Sequence, residues 1–167
     1  LAIIRVVDNF LPQDYFDNLQ LMISDLPWFY HDWSVRQGDG DPQFYHLFHF
    51  DGQVRSPDHF KYVEEVFTRY VAGAQEATLH RMKLNATPKS ETIKEKEFHV
   101  DVEDREHRVC ILYMNTCDGY TVFEEDGERV ESVANRAVFF PGHLRHAGTN
   151  CTDQGLRLVL NMDYFKD

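Results

Sequence analysis

The sequence predicts a mainly β fold of the α+β class, a β-sandwich or barrel buttressed by helices. Three observations carry that reading. Apolar residues recur at helical spacing in two stretches before residue 76. After that point the chain breaks into about seven short apolar runs separated by turn signals. The third is material for a core: 167 residues, 43% apolar, with 13 Phe, 8 Tyr and 2 Trp, suit one domain over 1–167.

Each element follows from local chemistry. Ile3 to Val7 reads as a strand ended by Asp8-Asn9. Pro12 suits the first turn of a helix, and Tyr15, Phe16, Leu19, Met22, Ile23 and Leu26 form its apolar stripe before Pro27 closes it. Residues 28–43, with Trp28, Phe29, Tyr30, Trp33 and the run Gly38-Asp39-Gly40-Asp41-Pro42, read as a loop whose aromatics cap the sandwich. Phe44–Phe50 is a candidate strand. Ser56 then caps a second helix with Pro57 in its first turn, a stripe of Phe60, Val63, Val66, Phe67, Tyr70 and Val71, and a stop at Gly73.

The later candidate strands are Thr78–Asn85, Phe98–Val100, Arg108–Met114, Thr121–Phe123, Glu128–Ser132, Ala137–Phe140 and Arg157–Tyr164. Asp118-Gly119, Asp126-Gly127, Pro141-Gly142 and Gly155 separate them. The polar run 87–97, containing Lys94-Glu95-Lys96-Glu97, reads as a solvated loop or a lid beside a site.

Charge narrows the function classes. Lys and Arg number 17 against 28 Asp and Glu, a formal charge of −11, so gripping nucleic acid through bulk positive charge is disfavoured. No run approaches the roughly 18–20 apolar residues of a membrane span. Three scattered cysteines with no CxxC pair support neither a disulfide framework nor a thiolate zinc site, and they fit reduced thiols in a cytoplasmic setting.

Nine histidines invite a search for metal ligands. His-x-Asp occurs at His49-Phe50-Asp51 and at His99-Val100-Asp101, a frequency that chance supplies, so context decides. On a strand, His99 and Asp101 aim at one point. His146, after the Ala137–Phe140 strand and the Pro141-Gly142 turn, is the third candidate, with His143 its competitor. Two imidazoles and one carboxylate on one face of a metal leave positions open, the donor set of non-haem Fe(II) oxygenases.

The wider pattern resembles a known family. His99-Val-Asp101, then Arg-Val-Cys-Ile-Leu-Tyr113-Met-Asn115, then Gly119-Tyr-Thr121-Val-Phe123, is similar to the prolyl-4-hydroxylase-like branch of the 2-oxoglutarate- and Fe(II)-dependent oxygenases. Phe139-Phe140-Pro141-Gly142-His-Leu-Arg-His146-Ala-Gly resembles the distal-histidine segment, and Arg157 follows eleven residues later. The small size and the Glu128–Asn135 stretch are similar to compact phage-encoded members. Tyr120 departs from the family's paired glycines, and Arg157 from the lysine common among prolyl-4-hydroxylases.

The resemblance implies a double-stranded β-helix, or jelly roll, over about 77–165, with an N-terminal helical buttress over about 1–76. It implies Fe(II) held by His99, Asp101 and His146, and 2-oxoglutarate as co-substrate, with O₂ consumed and ascorbate as a reductant. Arg157 is then the anchor for the distal carboxylate of 2-oxoglutarate, and Tyr113 reaches the same group. The presence of Asp101 favours hydroxylation over halogenation. Strand alternation puts Arg157, Val159 and Asn161 on one face, so Asn161 borders the co-substrate; Asn85, which shares a face with Lys83 and Arg81, lines the same pocket. The implied substrate is a prolyl residue in a peptide or protein, with a small molecule the alternative. Two rivals stand beside this reading: an oxidative demethylase of nucleobases, and a non-catalytic jelly-roll module that binds a metal or ligand.

Overall fold

The structure is a computed structural model that describes residues 4–104 and 106–166. Its strands are β1 (Arg5–Val7), β2 (Phe29–His31), β3 (Gln43–Phe50), β4 (Gln53–Val54), β5 (Ala77–Pro88), β6 (His107–Tyr113), β7 (Tyr120–Phe123), β8 (Arg129–Glu131), β9 (Ala137–Pro141), β10 (His146–Gly148) and β11 (Leu156–Lys166). Two α-helices, α1 (Gln13–Ser24) and α2 (Pro57–Glu65), join them, and α2 runs on into a π-helical segment, Val66–Val71. The fold is mainly β and antiparallel, as the sequence predicts.

One sheet has the order β1-β9-β6-β11-β5-β3-β2, with β4 on β3; the other has the order β10-β7-β8. The N-terminal region contains the expected strand at Phe44–Phe50, as β3, and two short strands beyond those expected, β2 and β4. β2, β3 and β4 lie between the two helices, and β3 joins the large sheet beside β5. The expected loop at 28–43 contains β2, which pairs Phe29–His31 with Tyr45–Gln43. Of the first expected strand, Ile3 lies outside the described residues.

Alternation along β5, β6 and β11 organises the interior. Met82 and Leu84 of β5, Cys110 and Leu112 of β6, and Leu160 and Met162 of β11 are buried against Phe16, Leu19 and Ile23 of α1 and Val63 of α2. Burying side chains of this size contributes about 1.5–3 kcal/mol each. The opposite face of the same strands carries Val109, Ile111, Tyr113 and Val159, packed with Phe123, Val138 and Phe140. Both faces are covered, which is why β6 reads as one continuous apolar run.

Three local expectations change. Phe98–Val100 forms no strand; His99 makes an isolated bridge to His146. The segment at His146 is itself a short strand, β10, paired with β7. Ser56 does not cap α2 through its side chain, because its Oγ is engaged by the His46 and His59 rings. No helix among the described residues is long and apolar enough to cross a membrane.

Candidate metal and anion site

On β5 the odd-numbered residues Arg81, Lys83, Asn85 and Thr87 face one way, and on β11 Arg157 and Asn161 join them. These polar positions alternate with core positions and line one cavity of about 330 Å³. His99, Asp101 and His146 stand on its wall, with Trp33 and Gln43 from the N-terminal region and Lys96 from the polar loop.

The histidines meet through the backbone. His99 N–H donates to the His146 carbonyl and His146 N–H to the His99 carbonyl, each at 3.0 Å, and the ring centroids lie 4.8 Å apart. Both Nδ1 atoms lie against main-chain carbonyls, His99 with Glu97 at 3.0 Å and His146 with Leu144 at 3.1 Å. That contact places the ring proton on Nδ1 and leaves the Nε2 lone pairs towards Asp101. His146 Nε2 is 3.4 Å from Asp101 Oδ2, and His99 Nε2 is 3.7 Å from Oδ1. All three donor atoms lie within 4.8 Å of one another.

Asp101 is held from behind. Arg81 Nη2 donates to its Oδ1 at 2.6 Å, and Arg81 Nε donates to Asp163 Oδ2, also at 2.6 Å. Asp163 is fully buried and meets His107 Nε2 at 3.1 Å through its other oxygen. Burial opposes the Asp101 charge, but the His146 imidazole and the Arg81 guanidinium outweigh it and hold the carboxyl well below the usual range. Burial pushes the His99 imidazole down, towards the neutral form a metal requires. His146 is pressed the same way by burial, but the adjacent Asp101 carboxylate wins and raises it.

The donor set fits a divalent metal on an observation internal to the site. Asp101 Oδ2 is buried and has no hydrogen-bond partner, while Oδ1 is taken by Arg81. An orphaned, buried carboxylate oxygen 3.4 Å from an imidazole nitrogen is costly unless a cation completes it.

Arg157 has the complementary defect. Its guanidinium is buried and, among the described residues, donates only to neutral oxygens: Ser132 Oγ at 2.8 Å, Thr121 Oγ1 at 3.2 Å and the Thr149 carbonyl at 3.4 Å. Burial lowers its pKa from the ordinary guanidinium value. Two glycines make room for it. A Cβ on Gly119 would collide with the Asn150 carbonyl and come within 2.6 Å of Arg157 Cδ; one on Gly148 would lie 3.2 Å from Nη1.

Of the residues singled out from sequence, His99, Asp101, His146, Arg157, Asn161 and Asn85 all line the cavity. Tyr113 lies behind it, fully buried, with its hydroxyl donating to Thr121 Oγ1 at 2.8 Å; the same Thr121 hydroxyl oxygen accepts from Arg157. The competitors sit elsewhere. His143 is exposed on its turn, and His49 is buried on β3, stacked on Phe60 at 5.7 Å. Lys96 escaped the sequence reading because it belongs to a charged run: Lys94 and Lys96 have the same parity, and only the structure distinguishes exposed Lys94 from Lys96 on the cavity wall.

No family model and no curated protein matches the chain. Solved structures do. A 2OG-Fe(II) oxygenase family oxidoreductase from Burkholderia pseudomallei superposes with a TM-score of 0.79 at 12% identity, covering 99% of this chain and 85% of that one. The fold is that of the 2-oxoglutarate/Fe(II) oxygenases. A Trichoplax adhaerens prolyl hydroxylase, solved with a hypoxia-inducible-factor peptide, gives a TM-score of 0.66 at 15% identity over 98% of this chain and 83% of its own. HygX from Streptomyces hygroscopicus, with nickel and 2-oxoglutarate bound, gives 0.67 at 10% identity over 99% and 83%. Structures with this fold thus include ones holding a divalent metal with 2-oxoglutarate and one holding a peptide.

Proposed function

We propose that the chain is a 2-oxoglutarate- and Fe(II)-dependent oxygenase that hydroxylates an unactivated C–H bond. One observation carries the reading: a buried cation, Arg157, without a counter-ion among the described residues, opens on the same cavity as an orphaned carboxylate oxygen of Asp101 that lies 3.4 Å from His146 Nε2. A ligand with an acid at one end and a metal-chelating group at the other satisfies both.

His99, Asp101 and His146 would hold the metal, with Arg81 engaging one oxygen of the carboxylate and leaving the other unbonded. Arg157 receives the distal carboxylate of 2-oxoglutarate, because a guanidinium stays charged and offers parallel donors. Thr121 and Tyr113 orient that guanidinium, and Asn85 and Asn161 border the chain of the co-substrate. When bound, Fe(II) supplies O₂ activation, so that 2-oxoglutarate, O₂ and R–H become succinate, CO₂ and R–OH. The motif resemblance favours a prolyl group as the site of hydroxylation, in a peptide or protein or as a small molecule.

Anaerobic titration with Fe(II) and then 2-oxoglutarate tests this. The expected result is a visible metal-to-ligand charge-transfer band that persists in His49→Ala and vanishes in His99→Ala. A folded, iron-loaded protein without the band would move the chain to the non-catalytic jelly-roll binders.

A further inference from the structure

The cavity wall carries more positive charge than the co-substrate accounts for. Four cations line it: Arg81, Lys83, Lys96 and Arg157. Arg81 is consumed by Asp101 and Asp163. Among the described residues, neither Lys83 nor Lys96 has a carboxylate partner. Lys83 Nζ lies 4.8 Å from the centre of the Tyr45 ring, and Lys96 Nζ donates to Thr87 Oγ1 at 3.2 Å. The acids nearest Lys96 are already engaged. Asp41 is paired with Lys94 at 2.5 Å, and the Asp39 carboxylate accepts from the N–H groups of Ser34, Val35, Arg36 and Asp41.

With a divalent metal and a doubly charged co-substrate in place, this wall still holds two positive charges in excess. A partly buried ammonium without a counter-ion is costly to keep. Two further groups in the same place lack partners. The Oδ1 atoms of Asn85 and Asn161 are buried and unbonded, and Asn161 pairs directly with Lys83 across β11 and β5. Fixed cations and an open cavity occur together, and the unpaired amide oxygens, which only accept, suit a donor group on the same ligand.

We propose that Lys83 and Lys96 form a second anion seat, distinct from the Arg157 seat, and that the substrate is a small organic molecule bearing its own carboxylate or phosphate. This rests on the oxygenase reading and adds a substrate class to it. The net charge of −11 sets the size of the anion: a polyanion is repelled by the protein as a whole, whereas a small acid is drawn into a locally positive cleft. A prolyl substrate meets this demand when it carries a free carboxylate.

The test is a binding experiment on the full chain loaded with Zn(II) and saturated with 2-oxoglutarate, read by calorimetry and thermal shift. The probes are matched pairs: free L-amino acids, proline included, against their amides, and glucose 6-phosphate against glucose. At least one acid or phosphate should bind at least about tenfold more tightly than its neutral partner. Lys83→Met and Lys96→Met should each weaken that probe by about tenfold while changing 2-oxoglutarate affinity less than threefold. Lys83→Arg, which keeps the charge, should restore binding. Binding of no charged probe, equal binding of the neutral partners, or loss of 2-oxoglutarate affinity in the lysine variants would each overturn the seat. If wild type fails to bind 2-oxoglutarate, the oxygenase reading falls by itself. Charged probes binding to the metal-loaded chain through Lys83 would still uphold the seat, and their failure to bind would overturn it.

Discussion

Arg81 and Asp101, twenty residues apart, are joined by a 2.6 Å hydrogen bond that engages one carboxylate oxygen and leaves the other, 3.4 Å from His146 Nε2, without a hydrogen-bond partner. The guanidinium can do this because its Nε is already fixed by Asp163, which His107 holds in turn. A residue next to core Met82 on β5 thereby sets the donor geometry at the metal position.

Replacing Arg81 by Lys keeps the charge but loses the fork that spans two carboxylates. Metal affinity should fall by about 10–100-fold, the usual cost of losing a group that orients a ligand. Competition titration with Zn(II), alongside a thermal melt to confirm folding, measures it. A folded variant with wild-type affinity would reduce Arg81 to a structural role.

Arg157→Ala should weaken 2-oxoglutarate by about 10–100-fold, given roughly 1.5–3 kcal/mol for hydrogen bonds to a charged group. Iron binding should be nearly unchanged, because Arg157 bonds to none of the three metal-site residues. Parallel loss of both in a folded protein would contradict the role. The variant also removes an uncompensated buried cation, so its ligand-free form should be no less stable than wild type.

Gly119→Ala places a methyl group against the Asn150 carbonyl and the Arg157 side chain. Overpacking of this kind costs about 1–3 kcal/mol, or roughly 2–12 °C in Tm for a chain of this size. Gly148→Ala meets only the tip of the guanidinium, at 3.2 Å, so its stability should change less while 2-oxoglutarate affinity drops. Thermal melts and calorimetry on the two variants separate these effects.

Burial lowers Lys83 and Lys96 from 10.5 to about 8, with Arg81 and Arg157 respectively adding to the shift. Between pH 8 and 10.5 the unfolded chain keeps these protons and the folded chain releases them, so these two groups make ligand-free stability rise with pH across that window. Lys83→Met should lose its share, and its Tm advantage over wild type should shrink from pH 7.5 to 10. Binding of an acid probe should run the other way, weakening as pH climbs through about 8.

The sequence made the site legible where chemistry repeats at fixed spacing. His99, Asp101, His146 and Arg157 stood out because each belongs to a segment with its own pattern, and alternation alone put Asn85, Lys83 and Arg81 on one face. Long-range partners were hidden. Nothing near Arg81 announces Asp163, which lies 82 residues away, and only the β5–β11 register pairs them. The strand expected at 98–100 is absent because one bridge to His146 is its whole ladder; β10 was missed because three residues are too few to show a period. The π-helical turn at Val66–Val71 keeps the apolar stripe of a helix, so periodicity cannot separate the two.

The division of β5 and β11 into core-facing even positions and cavity-facing odd ones has an evolutionary consequence. Side chains on a strand read with a period of two, so the parity of a position works like a reading frame. Inserting or deleting one residue between Met82 and Thr87, or between Arg157 and Met162, would carry methionines and leucines into the cavity and lysine, asparagine or arginine into the core. Lineages of this protein can therefore change length freely in the connecting loops, while these two stretches should vary by substitution alone.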